Sequence, residues 1–287
     1  MSQRRAPGAV KVESIFHPSD FSEASEIAFV HALKIALVTQ SRLSMLHVTP
    51  GSKLEWQDFP GVRDTLERWK LIPKGSSRSM VGQLGVEIRK VIASNKHPVK
   101  ACLRYLAKHP ADLIVLAVGH HEGRMRLLEK SVGDPIARGA GHIPLFLPHG
   151  VKGFVSREDG SVALRNILIP VAMKPRPEPA MEAAVRLIRN FQLSAGAVTL
   201  LHVGSASGTR FAKFPATPGW TWKCVARTGD PAETILQVAA ELEADLILMT
   251  TDGPDGFLDG LRGTTSERVL RKARCPVGNL PAGSMLG

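Results

Sequence analysis

The chain has 287 residues, enough for one large or two ordinary domains; its 44% hydrophobic and 22% charged content fits a globular fold, and no apolar run nears the roughly 20 residues of a membrane helix, so no spanning segment is expected. The net charge of +11 is uneven, with 22 Lys+Arg against 13 Asp+Glu in residues 1–155 but 15 against 13 in residues 156–287; the cations are scattered, so a solvated basic surface is the plainer reading and a docking face for a protein, nucleic-acid or other anionic partner the alternative. Three dispersed cysteines without a C-x-x-C pair, and a basic N-terminus with no apolar stretch behind it, fit a reducing cytoplasm and argue against a disulfide frame, a thiolate metal site or a secretory signal.

In chain order, "SIFHPSDFSEASEIAFVHALKIA" (Ser14–Ala36) predicts a strand and a helix, and "LSMLHV" (Leu43–Val48) a second strand. A longer insertion follows between Thr49 and Gly85. "HPVKACLRYLAKHPADLIVLAVG" (His97–Gly119) predicts a helix whose Val99, Cys102, Leu103 and Leu106 form one apolar stripe, then the buried strand Leu113–Val118. "HIPLFLP" (His142–Pro148) is a further strand, and the polar segment from His149 to Asn166 reads as a linker centred on residues 151–163. The order then repeats: "NILIPVAMKPRPEPAMEAAVRLI" (Asn166–Ile188), "VTLLHV" (Val198–Val203), "DPAETILQVAAELEADLILMTTD" (Asp230–Asp252) and "CPVGNLP" (Cys275–Pro281). Ile235, Val238, Ala239 and Leu242 make the second apolar stripe, and Gly278 and Asn279 weaken the β-propensity of the last strand. The repeat divides the chain into residues 10–150 and 164–283. Strand–helix alternation implies parallel pairing with right-handed crossovers, hence two doubly wound α/β domains whose ligands bind beyond the C-terminal ends of the strands.

Three positions after strands carry candidate chemistry. Asp20 either accepts hydrogen bonds from a ligand or caps the next helix through Asp20-x-x-Glu23. The pairs His47-Val48 and His202-Val203 end a strand, where their backbone meets either solvent or a base. "TTDGPDGFLDGLRGTTSERVL" (Thr250–Leu270) runs a glycine loop into a helix start marked by Thr264-x-x-Glu267, an arrangement suited to anions. No Lys follows its last glycine, so it is not the P-loop of NTPases. His120, His121, His142 and His149 match no zinc pattern, so no metal is expected. No nucleophile–base pair or strand-end carboxylate pair appears, and an enzyme is not expected beyond a slow ATPase leaning on Asp252 and Asp255.

These motifs resemble the universal stress protein family. "SDFSEAS", "LLHV", "GDPAETI", "ADLILM" and "GTTSERVLRKARCPV" follow the family's wording in order and spacing, over most of both halves. The resemblance implies two Rossmann-like (adenine nucleotide alpha hydrolase-like) domains, each a five-stranded parallel sheet with flanking helices, packed as a pseudo-dimer with self-association through the last strand of each. It also implies a cytoplasmic stress-response protein, of which some members bind ATP. The family's phosphate loop, G-x-x-G-x(9)-G-[ST], maps to Thr250, Gly253, Gly263 and Thr264, with Thr265 and Ser266 adding helix-terminal amides and Val203 meeting the base. Its Asp position, however, is Ala172. The first half keeps Asp20 and Val48 as a nucleoside-facing pair, but its loop reads Ala117, His120, Lys130 and Ser131. Pro135 there favours a helix start capped by Asp134, drawn back from a phosphate. The expectation is an adenine-nucleotide site in the second half and no triphosphate site in the first.

Overall fold

The computed structural model describes residues 12–49, 51, 59–118, 143–151, 153–172, 174–204, 214–251 and 265–282. The first half contains β1 (Ser14–Pro18), α1 (Glu23–Thr39), β2 (Arg42–Thr49), α2 (Val62–Arg68), α3 (Arg78–Gln83), β3 (Glu87–Ser94), α4 (Pro98–Lys108), β4 (Leu113–Val118) and β5 (Ile143–Pro148). The second contains β6 (Asn166–Val171), α5 (Glu178–Asn190), β7 (Gly196–Val203), β8 (Trp220–Arg227), α6 (Pro231–Glu241), β9 (Leu246–Thr251), α7 (Thr265–Lys272) and β10 (Val277–Pro281). The strands join in one ten-stranded sheet of order β3-β2-β1-β4-β5-β10-β9-β6-β7-β8. Among the described strands pairing is parallel within each half and antiparallel between β5 and β10, where Val277 faces Phe146 and Gly278 faces Leu145. The last strands of the two halves therefore associate within the chain, and neither keeps a free edge.

Local sequence explains the elements. The all-apolar β4, "LIVLAV", is covered on both faces, as parallel strands require. Ser22, rather than Asp20, caps α1: its Oγ accepts from Ser25 N at 3.2 Å, while Asp20 Oδ1 accepts from Ser22 N at 3.0 Å and Ser22 Oγ at 2.6 Å. Asp20 thus holds the cap residue instead of serving as the cap. Asp230 caps α6 by accepting from Glu233 N at 3.0 Å, with Pro231 at the favoured first position. Each apolar stripe read from the sequence is buried in part, at Val99, Cys102 and Leu106 on α4 and at Ile235 and Val238 on α6.

Helices α1 and α5 share one face of the sheet and a core that runs unbroken across both halves, from Ile15 and Phe29 to Ile169 and Ile188. On the other face, α4 covers one cluster and α6 with α7 another, with Leu270 touching both. The insertion between Thr49 and Gly85 supplies Phe59, Leu66, Trp69 and Ile72 to the shared core. Within residues 151–163, read as a linker, lies a packed strap: Phe154 and Val155 are buried, and Val155 bridges Val162. His31 of α1 anchors the strap. Its Nδ1 donates to Ile27 O at 2.8 Å, leaving Nε2 to accept from Phe154 N at 3.0 Å and Val155 N at 3.1 Å. Arg157 pairs with Glu23 and Glu26, and its carbonyl accepts from Arg68 and the Trp69 indole.

Candidate functional site

In a doubly wound sheet the binding crevice forms where strand order reverses, which here is between β1 and β4 and between β6 and β9. The pairing makes both crevices real. β1 meets β4 only at Ile15–Leu113 and Phe16–Ile114, and β6 meets β9 only at Ile167–Leu246 and Leu168–Ile247. Beyond those pairs the strands part toward their C-terminal ends.

The first-half crevice is closed by its own side chains. His17, fully buried, reaches across it and donates from Nδ1 to Val115 O at 3.0 Å, with Nε2 facing Ser25 Oγ at 3.4 Å. Burial pushes its pKa from 6.5 down to about 4, so the ring is neutral and its Nδ1 carries the proton. Next to it Phe21, at φ 62, lies flat on His47, with ring centroids 4.0 Å apart and planes within 6°. Phe59 meets Phe21 edge-on at 5.3 Å, and Lys90 sits 5.6 Å from the Phe59 ring centroid. His47 Nδ1 contacts Ser19 O at 2.8 Å, tying the loop after β1 to the end of β2. Asp20 is exposed, one carboxylate oxygen engaged by Ser22, and Val48 is half-buried at the strand end.

In the second-half crevice, Ile169 stands at the repeat position of His17 and has no side-chain polar atom to reach across. Ala172 is exposed at the Asp20 position. Val203 is half-buried at the end of β7, paired with Arg227. Thr250, next to the last residue of β9, has its Oγ1 buried without a hydrogen-bond partner among the described residues. Thr265 and Ser266 open α7, and the half-exposed Arg268 fixes that helix to α6, donating to Asp230 Oδ2 at 2.7 Å and pairing with Glu233 at 3.4 Å. The hydrogen bond from Arg268 holds the Asp230 carboxyl below the usual range, and Asp230 in turn raises Arg268. The structure thus places Val203, Thr250, Thr265 and Ser266 at the C-terminal end of one half-sheet. Gly253, Gly263 and Thr264 lie outside the described residues, as do Asp252 and Asp255 and the first-half loop with His120, Lys130, Ser131, Asp134 and Pro135. Among the described residues there is no cluster of three or more His, Cys, Asp or Glu able to hold a metal, and no helix long and apolar enough to cross a membrane.

Fold and split strand ends together define a doubly wound α/β protein with one crevice in each half. Residues 12–143 and 215–278 match the model of the universal stress protein family, and the chain belongs to that family. It is 45% identical over 49 residues to a universal stress protein of Methanocaldococcus jannaschii and 38% identical over 63 residues to one of Methanothermobacter thermautotrophicus. Those matches take in 17% and 22% of this chain and 29% and 42% of the relatives, so the chain spans under half the length of the curated relatives it matches. A crystal structure of a universal stress protein from Archaeoglobus fulgidus shares the fold, with a TM-score of 0.57 at 18% identity over 94% of this chain and 96% of that one.

Proposed function

We propose that this protein is a cytoplasmic stress-response module that holds one adenine nucleotide, ATP being the first candidate, in its second half, and that it acts by binding rather than by catalysis. Gly253 and Gly263 bring backbone amides to the phosphates, Thr264 adds a hydroxyl, Thr265 and Ser266 add the N-terminal amides of α7, and Val203 lies beside the base. The observation that carries this reading is Thr250: near the end of β9, which parts from β6 beyond Leu168–Ile247, its hydroxyl is buried without a partner among the described residues. A buried unsatisfied hydroxyl is a destabilising feature unless something bonds it. In the first half the crevice is occupied by His17 and the strand end by the Phe21–His47–Phe59 stack, so Asp20 and Val48 have no nucleotide to serve.

Calorimetry with ATP, backed by chromatography of nucleotide released on denaturing the purified protein, tests the reading. One nucleotide per chain is expected, with binding lost in Gly263→Glu and kept in Ser131→Glu. Absence of released nucleotide together with no heat at millimolar ATP overturns it. Salt-dependent binding to nucleic acid would then favour a docking role for the basic first half.

A further inference from the structure

Helix α4 carries a charge that its repeat counterpart α6 does not. Residues 88–111, which run from β3 through α4, hold six Lys+Arg and no Asp or Glu; the corresponding residues 221–244 hold two Lys+Arg and four Asp+Glu. On α4 the cations recur at four-residue steps, Lys100, Arg104 and Lys108, with Lys96 four residues before them, and all four are exposed. The opposite side of the helix is the buried stripe of Val99, Cys102 and Leu106, so the cations form one outward row. The repeat positions of the three helical cations are Glu233, Gln237 and Glu241, and α6 uses them within the fold: Glu233 pairs with Arg268, and Gln237 donates to Glu241 Oε1 at 2.9 Å. The side chains of Lys96, Lys100, Arg104 and Lys108 make no ion pair or hydrogen bond among the described residues.

The row weakens the helix that bears it. Like charges four residues apart repel. The first turn of α4 has no acidic residue to meet the helix dipole, and His97 at the cap position makes no side-chain bond to the backbone. Helix α6 has both, Glu233 in its first turn and Asp230 as its cap. A row of cations that the fold neither pairs nor needs points to an anion from outside the chain, and its surroundings select which. Among the described residues the large apolar side chains left exposed are Leu71 and Phe214, neither of them on α4 or β3. Tyr105 of α4 is half-buried and stacked on Phe16 at 5.6 Å. A protein partner needs an apolar anchor, a bilayer an apolar face to insert, and a single strand free rings on which to stack its bases. The phosphate backbone of a duplex needs only cations. Lys100 to Lys108 span about 12 Å, a length over which double-stranded DNA presents about seven phosphates. We propose that the outward row of α4, Lys96, Lys100, Arg104 and Lys108, docks the phosphate backbone of a nucleic-acid duplex without reading its sequence. This contact does not depend on the nucleotide site of the second half.

The test titrates the full chain into a labelled DNA duplex, and into an RNA duplex of the same sequence, by fluorescence anisotropy over a series of salt concentrations. Binding that weakens with salt is expected, log affinity falling against log salt by about 0.9 for each phosphate contacted. The triple variant Lys100→Glu, Arg104→Gln, Lys108→Glu gives α4 the residues that α6 carries. It is expected to reduce that slope by about three, to melt no lower than the wild type and to keep nucleotide binding. Arg104→Gln alone is expected to reduce the slope by about one. Binding of either duplex, lost in the triple variant, supports the proposal, and the ratio of the two affinities assigns DNA or RNA. The proposal is overturned if neither duplex binds, if the folded triple variant keeps the wild-type slope, or if a single strand of equal length binds as tightly as the duplexes. It is equally overturned if phosphatidylserine vesicles bind more tightly than either duplex and the triple variant releases them, since the row would then serve a membrane surface.

Discussion

The C-terminal ends of β1 and β2 and those of β6 and β7 come from the same repeat, yet their side chains differ. In the first half a buried histidine, the stacked Phe21–His47 pair and an edge-on Phe59 take the space; in the second, the positions of His17 and Asp20 hold Ile169 and Ala172. The Asp that the resemblance places after the first strand survives beside the closed crevice, at Asp20, and is Ala172 in the second half. A repeated fold fixes where a site can lie; whether it is vacant depends on a few side chains at the strand ends.

Three experiments bear on that contrast. The largest effect is expected from Phe59→Ala. Phe59 is 3% exposed and braces Phe21, so truncation should destabilise the protein by about 3–5 kcal/mol in chemical denaturation. If it also raised nucleotide stoichiometry above one per chain, the first crevice would be blocked by packing alone.

Acid comes next. His17 and His31 are both buried with pKa values lowered from 6.5 to about 4 by desolvation, and their repeat positions hold Ile169 and Ala183. Between those pH limits the unfolded chain binds more protons than the folded one. The stability contributed by the neutral rings is therefore whole above pH 6.5 and is lost as pH falls toward 4, by roughly 3 kcal/mol for each ring. Hydrogen exchange should show β1 and α1 losing protection before β6 and α5 over that range; simultaneous loss would contradict the asymmetry.

The smallest effect is expected from restoring the missing carboxylate. Ala172→Asp, at an exposed position, should tighten ATP binding about tenfold, from one added charge-assisted hydrogen bond of about 1.5 kcal/mol. Unchanged affinity would mean that the base does not lie against that strand end.

Much of this molecule is legible in its sequence. The repeat, the parallel pairing implied by alternation, the apolar stripes of α4 and α6 and the joining of the halves through "HIPLFLP" and "CPVGNLP" all follow from periodicity and family wording. Less local features are not. Asp20-x-x-Glu23 reads as a start for α1, but the cap is Ser22, a choice that depends on where the chain leaves β1. The strap looked polar because its two buried residues, Phe154 and Val155, sit among charged ones, and their anchor is a histidine more than a hundred residues away. Phe59 lies in an insertion without periodicity, so nothing local points it toward Phe21 and His47. His17, a histidine inside the apolar run "SIFHP", was a visible signal of a buried polar contact at the strand end. Gly278 is legible as a weak point in a strand but not as a close approach, because a Cβ there would meet Leu248 of the paired strand β9 at 2.8 Å.

The pairing of Leu145 with Gly278 has a consequence of symmetry. These two residues occupy the same position in the two repeats, and they face each other across the junction, so the pseudo-two-fold axis relating the halves passes between them. In a dimer of identical chains the axis would set each residue against its own copy, leucine on leucine or glycine on glycine, and crowding or emptiness would come in equal shares. Covalent joining of the halves lifts that restriction. One side can supply bulk and the other a gap, and the junction can acquire a shape that no self-paired interface can have.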